Sequence, residues 1–174
     1  MPQKNPSDMD ISLLMAKLIH TDLVHAGAPS WGYWKAFEIN GDHALTGVYP
    51  KNGDICQGGS VFTRKKLWVL GNYSFFIRPG WKRVELSGAD NLGGVFASAF
   101  MSPDGKKVAV VAVNVSYEPA DFNFSLEGKG AENLKKVGRN QLPAKKRKKA
   151  AAKLPGIPMQ WQRRASGCVQ ISVY

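Results

Sequence analysis

The chain of 174 residues and 19.1 kDa has room for one ordinary domain plus a small appendage. A complete eight-fold βα barrel is excluded, because that fold takes upward of roughly 200 residues. Hydrophobic residues at 44% and charged residues at 21% exclude global disorder. The net charge of +11 lies in residues 129–174, since residues 1–128 carry 12 basic and 12 acidic side chains. The sequence therefore predicts a neutral body followed by a basic tail.

A helix is predicted over residues 8–26. Ser7 can cap it, and Asp10 stands three residues later, which completes a capping box. Gly27 and Pro29 end the helix. One apolar face follows from spacings of three and four residues between Ile11, Leu14, Met15, Leu18 and Ile19.

The next three segments are predicted as a strand, a loop and a second helix. Residues 30–38 are rich in aromatic side chains, which favours a buried strand. Residues 40–62 contain many glycines and predict a loop. A helix over 63–77 would begin at a Thr63 cap, and Gly71 within it predicts close packing. Its predicted apolar face consists of Leu67, Leu70, Ser74 and Ile77.

From residue 81 the hydrophobic period becomes two, which predicts an antiparallel sandwich. Strands are expected at residues 82–86, 95–101, 107–115 and 122–126, with a turn at 102–105. Residues 135–165 are low in complexity and show no period, so no regular structure is predicted there. Residues 168–174 could supply one last strand.

Residues 67–83 read LWVLGNYSFFIRPGWKR. This segment resembles the C-terminal region of glycoside hydrolase family 30 enzymes, in particular their endo-β-1,6-galactanase-like branch. Residues 20–37 and 95–115 resemble further blocks of that family in the same order, so the resemblance covers about residues 8–128. It implies a mainly β fold in which an antiparallel β-sandwich follows a helix–strand–helix remnant of a (β/α)8 barrel. Residues 1–80 would be the barrel remnant, 81–128 sandwich strands and 129–174 the tail.

The resemblance also implies an activity and the residues that it requires. Family members are retaining β-glycosidases, whose chemistry needs two carboxyl groups about 5 Å apart. Glu38 is the only glutamate of residues 1–66, and it matches neither catalytic motif. The chain is therefore expected to contain no catalytic residue and to be inactive alone, as a fragment of an enzyme acting on β-1,6-galactan-like polysaccharide. No cofactor is implied.

Two tryptophans are the candidate substrate-binding residues. Trp34 matches the family's aromatic residue at the end of the eighth barrel strand, which lines the sugar cleft, and Trp31 is a second candidate. The same residues are also what the core of a buried strand would contain. The partners that the resemblance implies are a polysaccharide or oligosaccharide and a missing N-terminal barrel segment. The parent family acts outside the cytoplasm, whereas residues 1–6 show no signal-peptide pattern, which leaves the location of this chain open.

Three further interpretations belong to other classes. The sandwich could be a non-catalytic carbohydrate-binding module. The basic run at 145–149 could contact nucleic acid, but it contains no aromatic residue and no sequence-reading motif, so no specific nucleic-acid partner is predicted. No membrane partner is predicted either. His20 and His25 are five residues apart, which departs from the four-residue spacing of a helical zinc pair, and no metal site is predicted. The jump in charge suggests a reading-frame change after about Lys135 in a truncated gene product.

Overall fold

The computed structural model describes residues 7–41, 43–88, 90–116, 118–120, 137–141 and 167–173. It divides the chain into two compact units, Met1–Ser74 and Phe75–Tyr174. Antiparallel strands dominate, and two α-helices accompany them, which confirms the mainly β fold class. No helix in the described part of the chain is long and apolar enough to cross a membrane.

The first unit begins with helix α1, Asp8–His20, which continues into a π-helical turn, Thr21–His25. The predicted capping box is confirmed: the Ser7 hydroxyl accepts a hydrogen bond from the Asp10 amide, and the Asp10 carboxylate accepts one from the Ser7 amide. The predicted apolar face agrees with the structure only in part. Met15 and Ile19 are buried, but three members of the predicted face are about half exposed: Ile11, Leu14 and Leu18.

A three-stranded sheet follows α1. Its strands are β1, Phe37–Ile39, β2, Thr46–Lys51, and β3, Asp54–Thr63. β1 lies parallel to β2, and β2 pairs with β3 in an antiparallel hairpin. The loop predicted over residues 40–62 was therefore wrong. The hairpin turns at Asn52 and Gly53, which both have positive φ, as a type I′ turn requires.

Helix α2, Lys65–Ser74, is shorter than predicted. Thr63 ends β3 and so does not cap the helix. The buried face of α2 also differs from the predicted one, because it consists of Lys66, Val69, Asn72 and Tyr73. Gly71 has no atom within 4 Å of the position that a Cβ would occupy, so the close packing predicted there was wrong. α1 and α2 pack together in the core of this unit.

The second unit contains a five-stranded antiparallel sheet. The strands are β4, Lys82–Val84, β5, Val95–Met101, β6, Val108–Asn114, β7, Val137–Gln141, and β8, Gly167–Val173. Their order is β4-β5-β6-β8-β7, so β8 lies between β6 and β7. All seven residues of β6 are buried, as expected for a run of valine and alanine covered on both faces.

Several predictions for the second unit can be compared with this sheet. The strand at 95–101 is confirmed, and the strands at 107–115 and 168–174 are confirmed within a residue. The turn at 102–105 is also present, with Gly105 at a φ of 68°. The expectation of no regular structure over 135–165 was wrong at β7. The strand at 122–126 and the basic run at 145–149 lie outside the described residues.

Candidate functional site

The aromatic segment of residues 31–35 lies between the π-helical turn and β1, and it has no regular secondary structure. The prediction of a buried strand was therefore wrong. The Trp34 side chain is 82% exposed, whereas Trp31 and Tyr33 are half-buried. Burying a large apolar ring away from water is favourable, so an indole that stays mostly exposed is a notable feature of this surface.

Trp31 is held by both its polar edge and its ring. Its indole Nε1 donates a hydrogen bond to the Asp22 carboxylate at 2.9 Å. Its ring stacks on that of Tyr33, with the centroids 6.3 Å apart and the planes 22° from parallel. Because the indole N–H is already used and one ring neighbour is present, Trp31 has less free surface than Trp34 for a ligand.

Tyr33, which directly precedes Trp34, is fixed by a partly buried polar cluster. Its hydroxyl donates to the backbone carbonyl of His43 at 2.7 Å. The ammonium group of Lys66, a residue that is only 4% exposed, donates to the Tyr33 oxygen and to the same His43 carbonyl, each at 2.9 Å. The Lys66 nitrogen also lies 5.2 Å from the centroid of the Tyr33 ring.

Lys35, which directly follows Trp34, is fixed on the other side. Its ammonium group pairs with the Glu38 carboxylate, and its carbonyl accepts from the Leu45 amide at 3.0 Å. The hydrogen bond from Lys35, followed by one from the His43 amide at 3.3 Å, holds the pKa of Glu38 below its ordinary value. Both neighbours of Trp34 are thus anchored, and its own side chain stays free.

The carboxylates beside this segment are already engaged. Asp22 accepts from Trp31, and Glu38 pairs with Lys35. A retaining glycosidase needs one carboxylate free to attack the sugar and a second carboxyl group to protonate the leaving oxygen. The segment is therefore suited to contact a ligand through an aromatic face, and its described carboxylates serve to hold the chain in place.

The two histidines of the first helix approach each other more closely than their spacing suggested. In a π-helical turn the backbone hydrogen bonds join residues five apart, where an α-helix joins residues four apart. Residues five apart therefore lie on one face. The rings of His20 and His25 lie 5.6 Å apart, edge to face. The departure from a four-residue spacing therefore does not keep the two rings apart, because that spacing assumes α-helical geometry.

Lys66 was missed by the sequence interpretation. Adjacent lysines such as Lys65 and Lys66 normally indicate a solvated helix face. A signal was nevertheless present, because Lys66 stands three residues before Val69 and seven before Tyr73, both buried on the same side of α2. The wrong choice of apolar face concealed that alignment.

The folds of known proteins agree with this architecture. The chain is similar to the crystal structure of a conserved exported protein from Bacteroides fragilis, with a TM-score of 0.73 and 28% identity over 99% of this chain. It also shares its fold with a glycoside hydrolase family 30 subfamily 8 xylanase from Clostridium acetobutylicum, with a TM-score of 0.66 and 20% identity over 98% of this chain. The chain spans 35% of the first protein's length and 40% of the second's.

A family match covers much of the second unit. Residues 80–153 match the model of the glycosyl hydrolase family 30 beta sandwich domain. A β-sandwich consists of two packed sheets, and an antiparallel sheet of this kind can form one of them. The match confirms the resemblance found in the sequence over residues 80–153, where the chain is similar to the C-terminal β-sandwich domain of glycoside hydrolase family 30.

Proposed function

We propose that this chain belongs to a retaining glycoside hydrolase that acts on a β-1,6-galactan-like polysaccharide, and that Trp34 is a sugar-stacking residue of its cleft. The observation that carries the proposal is an indole 82% exposed on a backbone anchored at both neighbours. The apolar C–H face of a pyranose packs well on such a ring. A platform that is already fixed before binding loses little further entropy when the sugar arrives.

The chain alone is proposed to be inactive. Retaining hydrolysis needs two positioned carboxyl groups, and loss of either removes most of the rate enhancement. The three half-exposed apolar residues of α1 support the same view, since Ile11, Leu14 and Leu18 form a helical stripe that a further barrel element could cover. A location outside the cytoplasm is part of this proposal, and the exported Bacteroides relative supports it.

The alternative, a carbohydrate-binding sandwich, has less support from the structure. The large aromatic side chains of β5, Phe96 and Phe100, are buried and form core. The exposed indole of Trp34 belongs to the first unit instead. Sugar binding by aromatic stacking is therefore assigned to the segment of residues 31–35.

The test is a titration of the full chain with β-1,6-linked galactotetraose, measured by isothermal titration calorimetry, because Trp34→Ala would remove a fluorescent reporter. Wild type is expected to bind, and Trp34→Ala to weaken binding by up to about tenfold, since a good aromatic contact is worth up to about 1.5 kcal/mol and about 1.4 kcal/mol corresponds to a factor of ten. Trp68→Ala is the matched control, because Trp68 is also an exposed indole but lies on α2.

Two results would contradict the proposal. Equal binding by wild type and Trp34→Ala would remove Trp34 from the site, and tighter binding of β-1,4-linked xylotetraose than of the galactan fragment would overturn the substrate class. Release of reducing ends by the chain alone would disprove its inactivity. A reducing-sugar assay on β-1,6-galactan measures this directly.

A further inference from the structure

We propose that Lys66 is a positioning residue, which holds Trp34 in place through Tyr33 and His43 without touching the ligand. This inference rests on the proposed role of Trp34 in sugar binding. Lys66 belongs to helix α2, whereas the residues that it contacts lie in irregular chain on either side of β1. A rigid element thereby holds a segment that has no secondary structure of its own.

The Lys66 ammonium group belongs to a buried residue, which is only 4% exposed. Removing such a charge from water is costly unless hydrogen bonds replace the lost solvent. Here the amine, the Tyr33 hydroxyl and the His43 carbonyl form a closed triangle of hydrogen bonds between 2.7 and 2.9 Å. If the amine is removed, the His43 carbonyl and the Tyr33 hydroxyl oxygen each lose a hydrogen-bond donor at a partly buried position.

His43 links both anchors of Trp34 through its backbone carbonyl and its backbone amide. The His43 carbonyl accepts from Tyr33 and Lys66, and the His43 amide donates to Glu38, the partner of Lys35. The residues directly before and after Trp34 therefore both depend on where His43 lies. Lys66 is the member of this network that is anchored in a helix.

The experiment uses the full chain labelled with 5-fluorotryptophan and observed by ¹⁹F NMR. The Trp34 resonance is identified as the one that Trp34→Phe removes from the five tryptophans. In Lys66→Met the Trp34 and Trp31 resonances are expected to shift or broaden, with those of Trp68 and Trp81 unchanged. Lys65→Met is the matched control, since it removes the same charge from the neighbouring position of α2.

Binding supplies the second readout. Lys66→Met is expected to raise the Kd for β-1,6-linked galactotetraose about 5- to 10-fold through loss of preorganisation, and Lys65→Met to leave it within about twofold. Tyr33→Phe, which deletes a single oxygen, should reproduce part of both effects. The double variant Lys66→Met/Tyr33→Phe should add little to Lys66→Met, because the two residues act through one triangle.

A Trp34 resonance unchanged from wild type in folded Lys66→Met would overturn the inference. If Lys66→Met does not fold, and all resonances collapse together, Tyr33→Phe decides: an unchanged Trp34 resonance there overturns the inference equally. The ¹⁹F spectra are recorded without ligand. Failure of wild type to bind the sugar would therefore contradict the proposed function, and the spectra would still decide whether Lys66 positions Trp34.

Discussion

The carboxylate of Asp8 accepts a hydrogen bond from the backbone amide of Lys65 at 3.0 Å, across 57 residues of sequence. Asp8 begins α1 and Lys65 begins α2, so a side chain from one helix satisfies a first-turn amide of the other. Asp8 thereby supplies the acceptor that Thr63, which lies in β3, does not provide.

Asp8→Ala is expected to lower the free energy of unfolding by about 1 to 2 kcal/mol, as loss of a helix-capping acceptor does. Asp8→Asn keeps an oxygen at the same place and should lose less than half of that amount. Urea denaturation followed by circular dichroism measures both. Equal losses in the two variants would show that the charge of Asp8 matters and the hydrogen bond to Lys65 does not.

Gly47→Ala is expected to destabilise the hairpin of the first unit. Gly47 pairs with Phe62 across β2 and β3, and a Cβ at Gly47 would overlap the Phe62 ring. That ring also stacks on Tyr49, with centroids 4.6 Å apart, so moving it disturbs a second contact. The expected loss is about 1 to 3 kcal/mol in urea denaturation, the usual cost of overpacking. Unchanged stability would mean that the Phe62 ring turns away freely.

Gly71→Ala, the same chemical change in helix α2, is expected to have the opposite sign. Nothing lies within 4 Å of the Cβ position at Gly71, and its φ is not in the left-handed region. Alanine restricts the unfolded chain and favours the helix, so the free energy of unfolding should rise by about 0.5 to 1 kcal/mol. A loss of stability on the same denaturation assay would contradict the open packing described around Gly71.

The anchor beside Trp34 should weaken in acid. The hydrogen bond from Lys35 lowers the pKa of Glu38 in the folded chain, so the ionised form of Glu38 favours folding. That contribution is present above the ordinary pKa of glutamate and is lost as the pH falls through the lowered value. Glu38→Gln should therefore be less stable than wild type near pH 7, with the difference closing as the pH falls through the lowered pKa of Glu38.

Lys35→Met serves as the control for the acid experiment, because it removes the largest cause of the lowered pKa. In that background Glu38→Gln should have a smaller effect on stability near pH 7. Urea denaturation at several pH values records all four proteins. A difference between wild type and Glu38→Gln that does not vary with pH would exclude an ionised Glu38 as the stabilising species.

The sequence predicted those parts of the fold whose signals are local. The Ser7 and Asp10 capping box, the Val and Ala run of β6 and the turn ending at Gly105 all depend on neighbouring residues. The β2–β3 hairpin was missed although Asn52-Gly53 is a strong type I′ turn signal, because the many glycines around it favour a loop by composition.

The candidate site was predicted less completely. Trp34 and Trp31 were named from the family resemblance, but the aromatic composition of their segment indicated burial, and the structure leaves Trp34 exposed. The Lys66–Tyr33–His43 cluster joins residues up to 33 positions apart, and no pattern of spacing predicts such a contact. Long-range polar contacts of this kind depend on which face of α2 is buried, and that face was chosen wrongly.

The position of β8 in the sheet has a consequence for biosynthesis. β6 pairs with β8, which follows it by about 50 residues of chain, so during translation at 5 to 20 residues per second the edge of β6 waits roughly 3 to 10 seconds for its partner. Throughout that interval an apolar strand with unpaired amides is available to any other nascent chain. Cellular yield would then depend on the speed of elongation and on chaperone supply as much as on the stability of the finished sheet.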